Sequence, residues 1–246
     1  MPPDTESFII LECVDSTNNY AMGQIRSHIA RDGNVWFSME QTQGKGRRGK
    51  IWQSAQGQNI ILSMATDTRF LQVHQQFQLS AAVSLGCYDF FKQYDNVNTK
   101  IKWPNDLFWN DRKAGGILIE NVIKGNIWQW AVIGIGININ QIDFPGTDRA
   151  VSLKQITGQT YNIVELAKQL CGDVMKRLNE LKTNQFGKML DEYNGILYKR
   201  NKKIKLKKKN IIFETMITGV SQLGQLQTFD NINRDFDFFD EVEWIL

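Results

Sequence analysis

The sequence is poor in the residues that would indicate a metal centre or a disulfide framework. Its 246 residues include only two histidines and three cysteines, and no C-x-x-C motif occurs. We therefore expect no structural zinc site. The odd number of cysteines, without paired spacing, instead indicates reduced thiols in the cytoplasm. Cys13, Cys87 and Cys171 all lie in apolar strand or helix contexts, so we expect all three to be buried.

Segments for targeting or membrane insertion are also missing. No apolar run reaches the roughly 18 residues that a membrane span needs. The start, "MPPDTESFIILECV", has two acids and no basic region before its apolar stretch, which is unlike a signal peptide. The net charge of +3 is too small to require a nucleic-acid partner. These deficits favour a globular cytoplasmic protein with one large domain, or with one large and one small domain.

The periodicity of the apolar residues predicts an α+β domain with a mixed, largely antiparallel sheet and helices on one face. A first helix follows the capping residues of "DSTNN", carries Tyr20, Ala21, Ile25 and Ile29 at helical spacing, and is expected to end at Gly33. Further helices are predicted at 75–94, 163–182 and 184–198. Strands are predicted at 8–14, 34–41, 59–66 and 98–103, with three more between 106 and 139.

Composition changes toward the C-terminus, where a small all-β, SH3-like module is expected. The run "KRNKKIKLKKKN" resembles a nucleic-acid patch, but Ile204 and Leu206 alternate with lysines as in a half-buried strand. The acidic run at 230–244 supplies cross-strand partners. We interpret the lysines as the charged face of an ordinary strand. The predicted domains are a ligand-binding domain at 1–198 and the β module at 199–246.

The stretch "QGKGRRGKIWQS" (43–54) contains most of two phosphate-binding motifs. It fits the phosphate loop G-x-x-x-x-G-K-[ST] until Ile51 replaces the magnesium-binding hydroxyl, and it also fits G-x-G-x-x-G. Both motifs require a helix to follow, whereas the short strand-like run "NIILSMAT" comes next. What remains is a flexible basic loop between two strands. A solvated surface loop and a ligand-binding loop stay equally open on this evidence.

Polar groups also occur at the ends of several predicted strands. "DSTNN" places hydroxyl and amide groups at a strand-to-helix junction, and "KWPNDL" places a lysine, an asparagine and an aspartate around a proline. "KAGGILIE" and "GIGININ" contain glycines inside apolar strands, which weaken a strand unless something approaches its backbone. Each feature alone is more often structural. Together they indicate a polar, anionic ligand that lies across the strands.

These motifs resemble those of biotin–protein ligases. "STNN", "GKGRRGKIWQS", "KWPNDL", "KAGGILIE" and "GIGININ" have the order and spacing of that family, and "GVSQLGQL" is similar to the glycine-containing strand pair of its small C-terminal domain. The resemblance covers nearly the whole chain. Two departures stand out: Lys45 occupies a place that is usually Arg, and only seven residues precede "FIILECV". The chain therefore resembles the single-function class, which has no N-terminal DNA-binding domain.

The resemblance implies an ATP-dependent ligase that forms biotinyl-5′-adenylate with Mg²⁺ and passes biotin to a lysine of a biotin carboxyl carrier protein. The single-function class implies no specific DNA binding, the short apolar runs predict no membrane association, and a homodimer is one of the oligomeric states that the sequence leaves open. The implied catalytic residues are Lys113 and Arg47, which neutralise phosphate charge, and Asp106, which orients the incoming amine. The implied ligand-binding residues are Ser16, Thr17, Asn18, Gln41, Gly44, Lys45, Gly46, Arg47, Arg48, Gly49, Trp52, Lys102, Asn105, Lys113, Gly115, Gly116 and Asn138.

Under the same resemblance, Ser16, Thr17 and Gln41 bind the ureido ring of biotin, and Asn138 lies near the nucleotide. Lys102 and Asn105 reach phosphate or metal, and the loop glycines let backbone N–H groups close on the ligand. Three alternatives remain: a lipoate–protein ligase, an octanoyl transferase, and a non-enzymatic small-molecule-sensing regulator. An octanoyl transferase would need an accessible nucleophilic cysteine.

Overall fold

The computed structural model describes residues 7–237 and 242–245. They form two sheets and five α-helices. The strands of the larger sheet are β1 (Phe8–Val14), β2 (Val35–Gln41), β3 (Ile60–Asp67), β4 (Thr99–Lys102), β5 (Asp106–Trp109), β6 (Arg112–Lys124) and β7 (Ile127–Ile137). The helices are α1 (Thr17–Arg26), α2 (Gln76–Phe91), α3 (Leu153–Thr157), α4 (Ile163–Lys182) and α5 (Phe186–Gly195). The strands of the smaller sheet are β8 (Lys203–Lys208), β9 (Ile211–Val220), β10 (Leu226–Phe229), β11 (Asn233–Phe236) and β12 (Val242–Ile245).

The larger sheet has the order β1-β2-β3-β7-β6-β5-β4. Only β1 and β2 pair in parallel, and the other neighbours are antiparallel. A tight turn at Gly125, with a φ of 59°, joins β6 to β7. The predicted α+β class with a mixed, largely antiparallel sheet is therefore confirmed.

Helices cover both faces at the centre of this sheet. Leu62 and Ile133 belong to the main core with α2 and α4, whereas Trp36, Ala65 and Val132 point the other way and pack under α1. The prediction of helices on one face thus holds for α2 and α4 but not for α1. The cause is that the central strands are apolar on both faces, as in sheets that are covered on both sides.

Two local predictions about helix α1 and the cysteines are wrong. Helix α1 ends at Arg26 rather than at Gly33, because the chain turns left-handed at His28 (φ 57°) and leaves Ile29 64% exposed. Cys13 is exposed on edge strand β1, although Cys87 and Cys171 are buried as expected. Burial raises the pKa of both buried thiols. The short helix α3 is an element that the sequence pattern does not predict.

The smaller sheet has the order β11-β10-β9-β8-β12 and is antiparallel throughout. In β8, Ile204 and Leu206 are buried while the lysines face outward, and Lys207 lies 4.0 Å from Glu243 on β12. The interpretation of the lysine run as a strand face is confirmed. Residues 238–241 of the acidic run lie outside the described residues. The domain division after residue 198 stays a prediction; it falls between α5 and β8.

Specific contacts hold the smaller sheet against the end of β4 and against helices α2 and α5. The Trp103 indole donates to the Gly224 carbonyl over 2.9 Å, and a side chain at Gly224 would collide with Phe77. The Asn194 amide forms two hydrogen bonds with the Val220 backbone, of 2.7 and 3.0 Å. None of the helices in the described ranges combines the length and apolarity that crossing a lipid bilayer demands.

Candidate functional site

A cleft opens on the α1 side of the larger sheet, beside the region that α1 covers. Its floor is formed by three glycines, Gly116 on β6 and Gly134 and Gly136 on β7. Because glycine has no side chain, these positions leave open a space that larger residues would fill. The cleft encloses about 470 Å³, including its open mouth. It is lined by Ser16, Thr17, Asn18, Gln41, Lys45, Gly46, Arg47, Trp52, Ile61, Leu62, Asn105, Lys113, Gly116, Ile117, Leu118, Gly134, Ile135 and Gly136.

The start of α1 supplies one polar wall of the cleft. The Thr17 backbone N–H and hydroxyl both donate to Gln41 Oε1, over 2.7 and 3.0 Å. The Ser63 hydroxyl donates to Asn18 Oδ1 over 2.6 Å, and the Asn18 amide donates to Glu120 Oε2 over 2.7 Å. These buried and part-buried hydrogen bonds, which Ser63 links to Thr17 over 2.8 Å, fix the orientation of Thr17 and Gln41 before any ligand binds.

Two buried polar atoms of the cleft lack a partner. Ser16 Oγ and Trp52 Nε1 make no hydrogen bond within the described part of the chain. Ser16 is only 1% exposed, and leaving such a group unsatisfied costs about 1–3 kcal/mol. A ligand that accepts or donates at these atoms would recover that free energy. The pattern indicates a site prepared for a polar ligand.

The basic loop at 43–54 folds over the cleft as a small hairpin. Trp52 N donates to the Gly44 carbonyl over 2.9 Å, and Gly46 N donates to the Lys50 carbonyl over 2.7 Å. A Cβ at Gly44 would lie 2.3 Å from the Trp52 carbonyl, so only glycine permits this closure. The Gly46 N–H is thus already bonded within the loop, and Gly49 has a left-handed φ of 71°.

The ring of Trp52 packs directly on the glycines of the floor. A Cβ at Gly136 would lie 2.5 Å from this ring, and one at Gly116 would lie 3.4 Å from it. The Lys113 ammonium lies 5.6 Å from the ring centroid. Glycine at these positions therefore lets Trp52 close one end of the cleft next to a cation.

Cationic groups gather at that end of the cleft. Lys113 Nζ lies 2.7 Å from Asp106 Oδ1, and Arg47 Nη1 donates to Asn105 Oδ1 over 3.3 Å. Asn105 is held in turn by its bond to the Ile117 carbonyl, over 2.6 Å. Burial lowers the pKa of Arg47, and a guanidinium stays protonated at physiological pH. A partly buried cation of this kind attracts an anionic ligand.

Some of the sequence-predicted site residues lie away from the cleft floor. Lys45 lies at the mouth, where it bonds to Asn19 and is 3.8 Å from Glu120. The Asn138 amide donates to the backbone carbonyls of Lys113 and Val151, so its role includes fixing the chain. Three others lie outside the cleft. Gly115 packs against Ile137, and Arg48 lines a separate cavity with Gln76. Lys102 lies beside two aromatic rings.

A second cavity adjoins the cleft on the other side of Trp52. It encloses about 660 Å³, including its open mouth. It is lined by Ile51, Trp52, Gln53, Lys113, Asn138, Gln141, Phe144, Pro145, Thr147 and Ala150. Trp52 and Lys113 line both spaces. Two ligands bound in these two spaces would meet at the Lys113 ammonium.

Sequence reasoning missed two polar residues of the cleft network. Ser63 interrupts the apolar strand "IILSMATD", and Glu120 lies on the same face of β6 as Gly116 and Leu118. Both carry a detectable signal, because a single polar group in a central strand needs a buried partner. The sequence does predict their partner Asn18 as a site residue, but the pairing itself requires the fold.

Comparison with known proteins agrees with the fold and the motifs. The model of the biotin/lipoate A/B protein ligase family matches residues 10–138. The chain is 31% identical over 183 residues to the bifunctional ligase/repressor BirA of Bacillus spizizenii. That alignment covers 72% of this chain and 56% of the relative. The chain is 32% identical over 129 residues to the biotin–[acetyl-CoA-carboxylase] ligase of Mycobacterium tuberculosis, covering 51% and 47% of the two chains. The chain thus spans about half the length of these curated relatives.

Solved structures share the whole architecture. The biotin protein ligase of Aquifex aeolicus in complex with biotin and ATP aligns over 98% of this chain and 99% of its own, with a TM-score of 0.83 and 22% identity. At 22% identity the structural similarity establishes the fold alone. Family membership is established by the family model, which covers more than half of the chain. The chain therefore belongs to the biotin/lipoate A/B protein ligase family.

Proposed function

We propose that the protein is an ATP-dependent biotin–protein ligase that forms biotinyl-5′-adenylate and transfers biotin to a lysine of a biotin carboxyl carrier protein. The observation that carries the proposal is the pair of adjoining cavities that share Lys113 and Trp52. A reaction between two bound substrates needs their reacting ends together and a cation at the junction. Similar proteins include biotin ligases by name.

The cleft suits biotin. Its ureido ring needs a few fixed hydrogen-bond partners within an apolar slot, and Ser16 Oγ lacks a partner in the described ranges while Thr17 and Gln41 are already oriented. Ile61 and Leu118, which share the face of the floor glycines, give the slot apolar walls. The second cavity, with Phe144 and Pro145, suits the flat apolar base of a nucleotide. Biotin would thus enter with its carboxylate toward Lys113.

In the first step, a biotin carboxylate oxygen attacks the α-phosphorus of ATP. An acyl–phosphate bond forms, and the bond to pyrophosphate breaks. Lys113 would leave its 2.7 Å ion pair with Asp106 to neutralise the phosphate. Arg47 would hold the adenylate from the loop side. Lys113 reaches the cleft from strand β6, whereas Arg47 reaches it from the basic loop, so closure of that loop would bring the second charge to the adenylate.

In the second step, the carrier lysine amine attacks the acyl carbon, forms an amide bond and expels AMP. The proton that the amine loses would leave with the AMP phosphate, and Asp106 is the carboxylate beside the reacting centre that would orient the amine. Closure of the loop by Trp52 would exclude water from the anhydride. This assignment gives Asp106 separate roles: it holds Lys113 in the free enzyme and the amine after adenylation.

The donor set fits a magnesium ion that arrives with the nucleotide. Within the described ranges, no group of three or more His, Cys, Asp or Glu side chains forms a metal site. Mg²⁺ commonly binds through substrate phosphates, waters and only one or two protein oxygens. Asn105 Oδ1, at the cation-rich end, would supply such an oxygen. When bound, the ion would neutralise phosphate charge.

The alternatives are less well supported. A lipoate–protein ligase would fit the family, but the Mycobacterium tuberculosis relative and the Aquifex aeolicus structure named above are biotin ligases. An octanoyl transferase would need a cysteine in the cleft; Cys13 is exposed, contrary to the sequence-based expectation, but it does not line the cleft. A sensing regulator would bind ligand without turnover. We further propose a cytoplasmic location, a homodimer and no specific DNA binding.

Pyrophosphate release tests the first step directly. The protein is incubated with ATP and magnesium and with biotin, lipoate or octanoate in separate reactions. The proposal predicts pyrophosphate release that depends on biotin. Release that depends equally on lipoate would favour the alternative ligase, and ligand binding without release would favour the regulator.

A further inference from the structure

Lys102 lies between two aromatic rings, one from each sheet. Its ammonium is 4.8 Å from the ring centroid of Phe108 on β5 and 5.4 Å from that of Trp244 on β12. Both rings are buried. A cation over the face of a ring is attracted by its quadrupole, and most strongly over tryptophan. The smaller sheet therefore contacts a lysine of the "KWPNDL" motif directly.

The position of Lys102 joins it to the cationic end of the cleft. Lys102 pairs with Asp106 across the β4–β5 ladder, and Asp106 contacts Lys113. Lys113, Lys50 and Arg149 are close enough to act on Lys102 through their charges. Lys102 thus belongs to the cluster of positive groups that would surround the phosphates, although it does not line the cleft.

Trp244 is held firmly in this position. The Tyr198 ring contacts both aromatic rings that flank Lys102. Its centroid lies 5.0 Å from that of Phe108 and 5.9 Å from that of Trp244. Trp244 is only 9% exposed. The Trp103–Gly224 and Asn194–Val220 hydrogen bonds fix the smaller sheet nearby. The aromatic contact with Lys102 is therefore part of a packed interface between the sheets.

We propose that Trp244 is a positioning residue that, with Phe108, holds the Lys102 ammonium toward the phosphates of the nucleotide, so that the smaller sheet forms part of the ligase site. The proposal rests on the ligase function proposed above. It gives the C-terminal module a chemical role: the module sets the place and the solvation of one cation. The Lys102 side chain is flexible, so without the two rings its ammonium would not stay in that position.

The protonation of Lys102 provides a specific signature. Burial lowers its pKa to about 8, the positive charges of Lys113, Lys50 and Arg149 act in the same direction, and Asp106 opposes them. In the free enzyme Lys102 therefore loses its charge as the pH rises through about 8. Removing the Trp244 ring takes away a cation–π partner, which lowers the pKa of Lys102, and admits water, which raises it. The second effect outweighs the first, because burial is the largest cause of the shift.

The experiment compares Trp244→Ala and Trp244→Phe with Phe236→Ala. Phe236 is a buried aromatic residue of the same sheet that stacks on Phe213, so its truncation controls for general loosening of that sheet. Two quantities are measured for each protein that remains folded. The first is the titration of the Lys102 amine by NMR in the ligand-free protein, and the second is kcat/KM for ATP and for biotin as a function of pH.

We expect Trp244→Ala to raise the pKa of Lys102 by about one unit and to move the high-pH decline of kcat/KM for ATP in the same direction. Its kcat/KM for ATP at neutral pH should fall roughly 10-fold, while KM for biotin changes less than about twofold. Trp244→Phe, which keeps a ring face, should restore most of both properties. Phe236→Ala should leave the Lys102 titration unchanged.

An unchanged Lys102 titration in Trp244→Ala would overturn the proposal, as would equal effects of Phe236→Ala. If Trp244→Ala does not fold, Trp244→Leu and Phe108→Leu provide the same test, since each removes one ring and keeps an apolar side chain. The NMR measurement requires no turnover. If Trp244→Ala shifts the Lys102 titration but the wild-type protein shows no biotin-dependent pyrophosphate release, the contact between Trp244 and Lys102 stands and only the ligase function is refuted.

Discussion

At the scale of single residues, Lys113 carries the largest share of the proposed chemistry. It lines both cavities, and its only ion pair in the described ranges is with Asp106. We expect Lys113→Ala to lower the rate of biotin-dependent pyrophosphate release by about 100- to 1,000-fold, because one lost contact to developing charge commonly costs that much. Lys124→Ala, at the exposed far end of the same strand, is the control. Release within a few-fold of wild type for Lys113→Ala would refute the role.

Gly136 illustrates how an absent side chain can define a site. A Cβ at this position would lie 2.5 Å from the Trp52 ring, so Gly136→Ala must displace the ring that separates the two cavities. We expect biotin affinity to fall about 10-fold or more, since such overpacking typically costs about 1–3 kcal/mol. Calorimetry can measure the affinity.

Gly187→Ala is the matched control for that substitution. Gly187 lies in α5, and a Cβ there would meet no atom within 4 Å beyond the neighbouring backbone of its own helix. An alanine at this position should leave biotin affinity unchanged and slightly favour the helix. If Gly136→Ala also bound biotin like the wild type, Trp52 would not shape the site.

At the scale of elements, the basic loop at 43–54 is expected to gain protection when the adenylate forms. It carries four cations and is closed by few backbone bonds, including those from Gly46 and Trp52. An anionic ligand gives those cations a partner and should slow local opening. Amide exchange of this loop should therefore be slower with biotin and ATP than without them. Equal exchange in both states would contradict a closing role, and the α4 amides serve as the internal control.

The helices α2, α4 and α5 are joined by a cluster of ion pairs around Arg177. Arg177 contacts Asp89 at 2.6 Å, Glu180 at 3.0 Å and Glu192 at 2.8 Å, and Lys92 also contacts Asp89 at 2.6 Å. Burial alone would raise the pKa of Asp89, but the hydrogen bonds from Arg177 and Lys92 outweigh it and hold that pKa below its usual value. The cluster therefore stabilises the fold where the carboxylates are ionised.

This cluster predicts a definite pH dependence. Because the folded pKa of Asp89 is depressed, its contribution is present above the unfolded pKa of about 3.9 and is lost as the pH falls through the folded value. Asp89→Asn should lower the free energy of unfolding by about 3 kcal/mol near neutral pH, and by less below about pH 3. Urea unfolding measures both. Asp191→Asn, on the exposed side of α5, should change little. A pH-independent difference for Asp89→Asn would contradict the account.

At the scale of the whole molecule, the sequence predicts most of the sheet and of the cleft. Strand boundaries such as those of β1 and β2 follow from short, continuous apolar runs. The resemblance to biotin–protein ligases places Thr17, Gln41 and Lys113 at one site. What it does not predict depends on distant contacts. The exposure of Cys13 follows from the edge position of β1, and the meeting of Lys102 with Trp244 depends on how two sheets dock.

The central claim is that two adjoining cavities meeting at Lys113 make the protein a biotin–protein ligase. The most direct measurement is the intact mass of a biotin carboxyl carrier protein domain after incubation with the protein, biotin, ATP and magnesium. The account predicts one added biotinyl group on one lysine, no addition without ATP, and almost none with Lys113→Ala. An unmodified carrier in the presence of the folded wild-type protein, or equal addition of lipoate, would contradict it.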